Sequence, residues 1–433
     1  MAPLLPIRVR VRMYQVGFGD CFLMTVEYAA DGNKRTERNI LFDFGTTHGP
    51  RSGPVKMAVI ADLIEEHTKG KLDVLVITHR HRDHLRAFGT TASAEVMRRL
   101  PPKLVLRPWT EDPDLQADAT GPTDGAGLVA RRFVAQLTEA QAAVKRIAAR
   151  PAPPRGALHD LRAAAADEVP DQEAISTLDQ LAADPRGRYL HADKPCLLGN
   201  VVPGLRITVL GPPTVEQHPR VAGQATSDPE YWMLRLQRSL TAAAPREDST
   251  APPEPPGAEG SIPPGPVRWL VEHLAKHRTH STARLVRALD TAMNNTSLIL
   301  LLEVGRLKML FSGDAQIENW EYTLGKLAND HELTAKLTGL DLYKVGHHGS
   351  RNATPRSLHA LWAQRPAGAP PMTTLMSTRP GVHGESAKTA VPRETLVTAL
   401  KEVSTLHSTD DFPRGTLFLE LTADTTGGPF EPV

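Results

Sequence analysis

Residues 74–84 read VLVITHRHRDH: an unbroken apolar run that ends in three histidines and one aspartate within six residues. Val, Leu and Ile without polar alternation are the pattern of a strand buried on both faces. Where such a strand ends the chain is still extended and alternate side chains share a face. His79 and His81 can then reach one ion together, while Asp83 and His84 turn towards a second position. Imidazole and carboxylate suit zinc, with manganese or iron also compatible. The bland alternative is a solvated histidine-rich loop, which a position directly after a buried strand disfavours.

Working outward, residues 7–14, 20–28 and 39–44 predict strands. Residues 54–68 carry Val55, Val59, Ile60, Leu63 and Ile64 at helical spacing behind Pro54. With the strand at 74–78 they make a strand–helix–strand unit. The middle of the chain differs: residues 125–185 are rich in Ala, Arg, Leu and Gln with helical periodicity, and 205–210 return to a strand. Residues 242–266 are dense in Pro, Gly and Ala and predict a mobile loop or linker, because they bury too little to offset their ordering entropy. A helical segment, 267–292, follows. From Ser297 a hairpin turning at Gly305 ends at Asp314. A helix through 317–337, a strand at 340–345, a helix at 355–363 and strands at 372–377 and 415–421 complete the pattern. Strands with flanking helices in two halves predict an α/β fold, a four-layer αββα sandwich with helical inserts. Its halves are residues 1–110 and 294–433. Between them lie a helical insert, 111–204, and a strand, Pro-rich flexible loop and helical insert, 205–293.

Three further strand ends carry ligand-type side chains. LFDFG (41–45) places Asp43 there, either to orient the His79 loop or to cap a helix. FSGDA (311–315) places Asp314, and YKVGHHGS (343–350) places His347 and His348 between glycines that let the backbone approach closely. Any one of these has an ordinary turn as its simpler account. Together with residues 79–84 they predict four segments converging on one metal pocket.

Composition narrows the partners. Fifty Lys and Arg balance 49 Asp and Glu, so nothing resembles a surface that grips nucleic acid along its whole length. Local clusters do exist: Arg131, Arg132, Lys145, Arg146, Arg150, Arg155 and Arg162 in the first insert, and Arg268, Lys276, Arg278, Arg284 and Arg287 in the second. Such runs are most often solvated helix faces. The only two cysteines, Cys21 and Cys196, are far apart, which excludes a disulfide scaffold and a zinc ribbon and suits a reducing compartment. The N-terminus lacks the apolar core of a signal peptide, and no stretch approaches the length of a membrane span. The expected location is cytoplasmic.

The order H-x-H-x-D-H, Gly-Asp, His resembles the signature of the metallo-β-lactamase superfamily. More narrowly, the chain resembles the soluble hydrolase domain of the DNA-uptake competence protein ComEC. The residues carrying that likeness are VGFGDC (16–21), LFDFG (41–45), NNTSLIL (294–300), SGDA (312–315) and KVGHHGS (344–350). It spans residues 7–110 and 294–421 and includes no membrane-spanning part.

The resemblance implies metal ligands His79, His81, Asp83, His84, Asp314 and His347, with His348 the alternative to His347. Asp314 would bridge two divalent ions, most simply zinc, with manganese possible. The superfamily's fifth-ligand histidine has no clear counterpart; His159, His191 and His218 are candidates. A late Gly-His-Pro is displaced, with Val391 before Pro392 and His383 nearby. The implied activity is a phosphodiesterase or nuclease acting on DNA, RNA or a nucleotide through a metal-bridging hydroxide. Asp83 and Asp314 would take part in catalysis, and His348 or His383 would serve the leaving oxygen. Ser350 either contacts phosphate or starts the next turn. The rival readings are hydrolysis of a lactone, ester or thioester, and a non-catalytic binding or signalling protein with a remnant metal site.

Overall fold

The computed structural model describes residues 4–29, 35–113, 171–218, 290–366, 368–382 and 390–433, with 138, 141–142, 144–146, 148–149 and 220. The strands in chain order are β1 (Pro6–Tyr14), β2 (Phe22–Tyr28), β3 (Glu37–Phe42), β4 (Val74–Val76), β5 (Leu104–Pro108), β6 (Gly187–Leu190) and β7 (Leu205–Gly211). They continue with β8 (Ile299–Val304), β9 (Leu307–Phe311), β10 (Leu342–Lys344), β11 (Met372–Met376), β12 (Ser404–Ser408), β13 (Phe418–Asp424) and β14 (Glu431–Pro432). They form two mixed sheets, β14-β13-β1-β2-β3-β4-β5-β6 and β12-β11-β10-β9-β8-β7, flanked by helices.

Period-two alternation divides each apolar strand between two cores. In β3, Ile40 and Phe42 join the cluster shared by both sheets, while Leu41 points to the other side. In β8, Leu300 and Leu302 face the shared core, and Ile299 and Leu301 face a third cluster. Helix Met57–Thr68 sends Ile60 and Ile64 into the Leu41 cluster. Helices Ile317–Leu324, Arg356–Ala363 and Glu394–Val403 supply Trp320, Trp362 and Leu400 to the third. Burial on both faces is why these strands read as continuous apolar runs.

Several elements depart from the sequence expectation. The helix expected through 317–337 is two, Ile317–Leu324 and His331–Thr338. Asp330 starts the second by accepting from Leu333 N at 2.9 Å, a cap that a periodicity count overlooks. Residues 111–204 hold the helix Gln172–Leu181 but also β6, which pairs in parallel with β5 at the edge of the first sheet. β12 (STLHS) is polar and only half-buried, so alternation does not reveal it. The Pro-rich 242–266 stretch and the helix expected over 267–292, apart from its last residues, lie outside the described residues. Among the described residues, no helix is long and apolar enough to cross a membrane.

Strand register sets the site. β3 and β4 are parallel with Phe42 opposite Val76, and β9 and β10 are parallel with Phe311 opposite Lys344. The loops holding Asp43 and His79–His84 therefore leave the first sheet side by side, and those holding Asp314 and His347–His348 leave the second. These are the carboxyl ends of strands, where α/β sheets place their ligands. Gly313 lets the two sets meet: at φ +49° it lies so close to Thr78 that a Cβ would come within 2.7 Å of the Thr78 Cβ.

Candidate metal centre

Asp83, His84, Asp314 and His348 each offer a ligand atom, and the four atoms lie within 4.8 Å of one another. All four residues are more than nine-tenths buried. His348 Nε2 is 2.8 Å from Asp83 Oδ2 and 3.3 Å from Asp314 Oδ2; His84 Nε2 is 3.1 Å from Asp314 Oδ2. Asp20, Asp43 and His84 form a second group behind the first.

Both histidines are held from behind. Asp43 accepts from Thr78 N (2.7 Å), Thr78 Oγ1 (2.7 Å) and His84 Nδ1 (2.8 Å), which turns His84 Nε2 towards Asp314. Of the two roles open to Asp43, this is the orienting one. His348 Nδ1 donates to the Ser377 carbonyl at 2.9 Å, leaving Nε2 for the carboxylates. Such outer hydrogen bonds fix the tautomer and direction of a ligating imidazole. Asp43, His347 and His348 all have positive φ, at 52°, 40° and 51°. Non-glycine residues accept that cost where the surroundings over-determine them, commonly at functional sites.

The consecutive left-handed residues separate the two histidines expected to compete for one role. His348 faces the cluster. His347 contributes its backbone N–H to Asp314 Oδ1 (3.0 Å), while its ring turns to Ser350 and Asn294. There Nδ1 donates to Ser350 Oγ (2.9 Å), that hydroxyl donates to Asn352 Oδ1 (2.9 Å), and Nε2 accepts from Asn294 Nδ2 (3.3 Å). His347 thus lies beside the four-residue group and outside it. Ser350 orients His347 here.

His79 and His81 sit together next to the group, with His79 Nε2 3.0 Å from His81 Nδ1 and the His79 ring centroid 4.1 Å from that of His84, the two rings tilted by 57°. His191 donates from Nδ1 to the Ala192 carbonyl (2.8 Å) and His218 faces Glu321 (2.9 Å), so neither joins the cluster. His159 and His383 lie outside the described residues.

Sequence reasoning misses two participants. Asp20 is buried with Oδ1 unpartnered, and Lys344 Nζ pairs with it while donating to the Gly313 carbonyl at 3.1 Å. Both stood inside quoted motifs; a lysine closing an apolar strand was the available signal, since a buried ammonium needs a carboxylate.

The electrostatics follow from crowding. Burial alone would raise the Asp314 carboxyl, but the charges of His84 and His348 outweigh it and hold Asp314 well below the usual carboxylate range. Asp83 is lowered in the same way, burial being overcome by His84 and His348. Burial would depress the imidazoles, yet Asp314 and the other carboxylates raise His84 well above its ordinary value and His348 to about 10. His79 goes the other way, lowered by burial and by His84 and His81. Asp20 is raised, because burial exceeds the pull of Lys344.

The donor set fits a divalent cation. Asp20, Asp43, Asp83 and Asp314 are buried around one lysine, and His84 Nε2 and Asp20 Oδ1 have no hydrogen-bond partner. Four carboxylates in a dry pocket need positive charge. Exchanging the second protons of His84 and His348 for one divalent ion would leave the total charge unchanged. No protein-family model matches this chain, and no curated protein matches it.

Proposed function

We propose that this chain is a metal-dependent hydrolase of the metallo-β-lactamase kind, a phosphodiesterase or nuclease acting on DNA, RNA or a nucleotide. The observation carrying the reading is the convergence of Asp83, His84, Asp314 and His348 from both sheets, with His79 and His81 alongside. One core between two sheets, with a helix-lined cluster on each outer side, supports the four-layer αββα arrangement and the likeness to the ComEC hydrolase domain.

Asp83, His84, Asp314 and His348 would hold one divalent ion, with His79 and His81 available to a second; zinc suits these donors best, and manganese is compatible. A bound ion supplies Lewis acidity and an acidified water. The chain's own groups do the rest. Asp43 and the Ser377 carbonyl aim the two imidazoles, and burial excludes bulk water. The neutral His347 ring, lowered by burial, is set by Ser350 and Asn294 at the edge of the cluster. With both ring nitrogens engaged there and its backbone N–H on Asp314, His347 positions the Asp314 carboxylate and does not serve the leaving oxygen, a role sequence reasoning assigned to His348 or His383.

The test is metal content of the purified chain together with turnover of bis-nitrophenyl phosphate, nitrophenyl ester, single- and double-stranded DNA, RNA and cyclic nucleotides. Phosphodiester turnover that disappears with a chelator and returns with zinc or manganese supports the proposal. Ester turnover alone would move the reading to acyl hydrolysis. Purified protein that binds no ion would leave a remnant site.

A further inference from the structure

We infer, on the metal-centre reading given above, that Asp20 and Lys344 are positioning residues: they clamp the ligand loops of the two sheets together and so set the spacing of the metal ligands. Asp83 and His84 arrive from the first sheet, Asp314 and His348 from the second. Among the described residues no strand ladder runs between those sheets. Metal ligands have to be held within about 0.5 Å of their working positions, so contacts between the loops must supply that precision.

Asp20 lies on the loop before β2, and Lys344 is the last residue of β10. The backbone of Asp20 is tied into the first half of the site. Its N–H donates to the Asp83 carbonyl at 3.0 Å, and its own carbonyl accepts from Gly45 N at 3.1 Å. The fit there is close: a Cβ on Gly19 would fall 2.6 Å from the Asp83 carbonyl oxygen. A displacement of Asp20 therefore displaces Asp83. Lys344 is tied into the second half, where Nζ donates to the Gly313 carbonyl at 3.1 Å and lies 3.7 Å from Asp314 Oδ1. The ion pair between Lys344 Nζ and Asp20 Oδ2 joins the halves. Ser377 adds a parallel link, its hydroxyl donating to the Gly19 carbonyl while its carbonyl accepts from His348 Nδ1.

The placement of the pair is what distinguishes a clamp from an ordinary core ion pair. Asp20 Oδ2 is 3.8 Å from His84 Nδ1, and Asp20 Oδ1 is 3.8 Å from His348 Nδ1. The carboxylate thus stands behind both rings, whose Nε2 atoms face Asp314 at 3.1 and 3.3 Å. Asp20 is 1% exposed and Lys344 2%, so water does not loosen the contact. A buried ion pair gives little net stability over well-packed apolar side chains, and stability alone does not account for this one. Its position on the midline between the two imidazoles does, because there it fixes ligand geometry.

The experiment measures zinc affinity by chelator competition, and the absorption spectrum of the cobalt-loaded chain, in the unaltered full-length protein and two variants checked for folding by circular dichroism. Lys344→Met alone makes the pocket more negative, so charge by itself would tighten zinc binding, whereas a broken clamp weakens it. Lys344→Met combined with Asp20→Asn removes one charge of each sign; the pocket keeps its total charge and loses the clamp. Affinity should fall about ten- to hundredfold in both variants. The cobalt bands should also shift, because they report ligand geometry. Tighter zinc binding in Lys344→Met overturns the clamp in favour of plain charge balance. Affinity and spectrum that stay those of the unaltered chain in the double variant, even with a lower melting temperature, overturn it in favour of a purely structural pair. An unaltered chain that takes up neither zinc nor cobalt overturns the metal-centre reading itself, and the clamp with it.

Discussion

Metal loading should release two protons per ion. In the metal-free chain both nitrogens of His84 face acceptors, Asp43 on one side and Asp314 on the other, and both nitrogens of His348 do the same, with Ser377 O and Asp83. The surrounding carboxylates raise both rings, so each is held as an imidazolium and must give up its Nε2 proton to ligate. The perturbation is a change of pH during loading. With His348 near 10, freeing that proton at pH 7 spans about three pKa units, roughly 4 kcal/mol at 1.4 kcal/mol per unit. His84 adds a further cost of the same sign. Apparent affinity for zinc should rise nearly a hundredfold for each pH unit between about 6 and 8, since two protons leave per ion. Calorimetry in buffers of different ionisation enthalpy counts those protons directly. A slope near zero, or no proton release, would refute the imidazolium assignment. The stability of the metal-free chain gives a second check. A raised histidine pKa contributes stability that is complete below the unfolded value near 6.5 and is lost as pH climbs through the folded value. Metal-free protein should therefore melt at progressively lower temperature as pH rises towards about 10, and metal-loaded protein should not follow it.

Asp43→Asn keeps the size of the side chain but removes the carboxylate that aims His84; metal affinity should fall about ten- to hundredfold by chelator competition, with turnover falling alongside. His348→Ala should lose bound metal and activity, whereas His347→Ala should retain the metal measured by elemental analysis, because its ring is held by Ser350 and Asn294; equal loss in both would refute the separation drawn above. Leu302→Ala, at 0% exposure in the core shared by both sheets, should cost about 2–5 kcal/mol in denaturant unfolding.

Part of the candidate cluster was legible in residues 79–84, because H-x-H-x-D-H supplies Asp83 and His84 to the four-residue group and His79 and His81 beside it. The α/β class was legible because burial on both faces of β4 and β8 leaves continuous apolar runs. Partnership across the chain was not. Which of His347 and His348 faces Asp314 depends on two successive left-handed backbone residues, and periodicity carries no record of φ. That Lys344 meets Asp20, or that His84 leans on Asp43, depends on strand register between β3 and β4 and on how the second sheet is laid against the first. Side-chain type is a local property written residue by residue. Which groups share a pocket, and which of their atoms stay unsatisfied, is set only when segments hundreds of residues apart pack together.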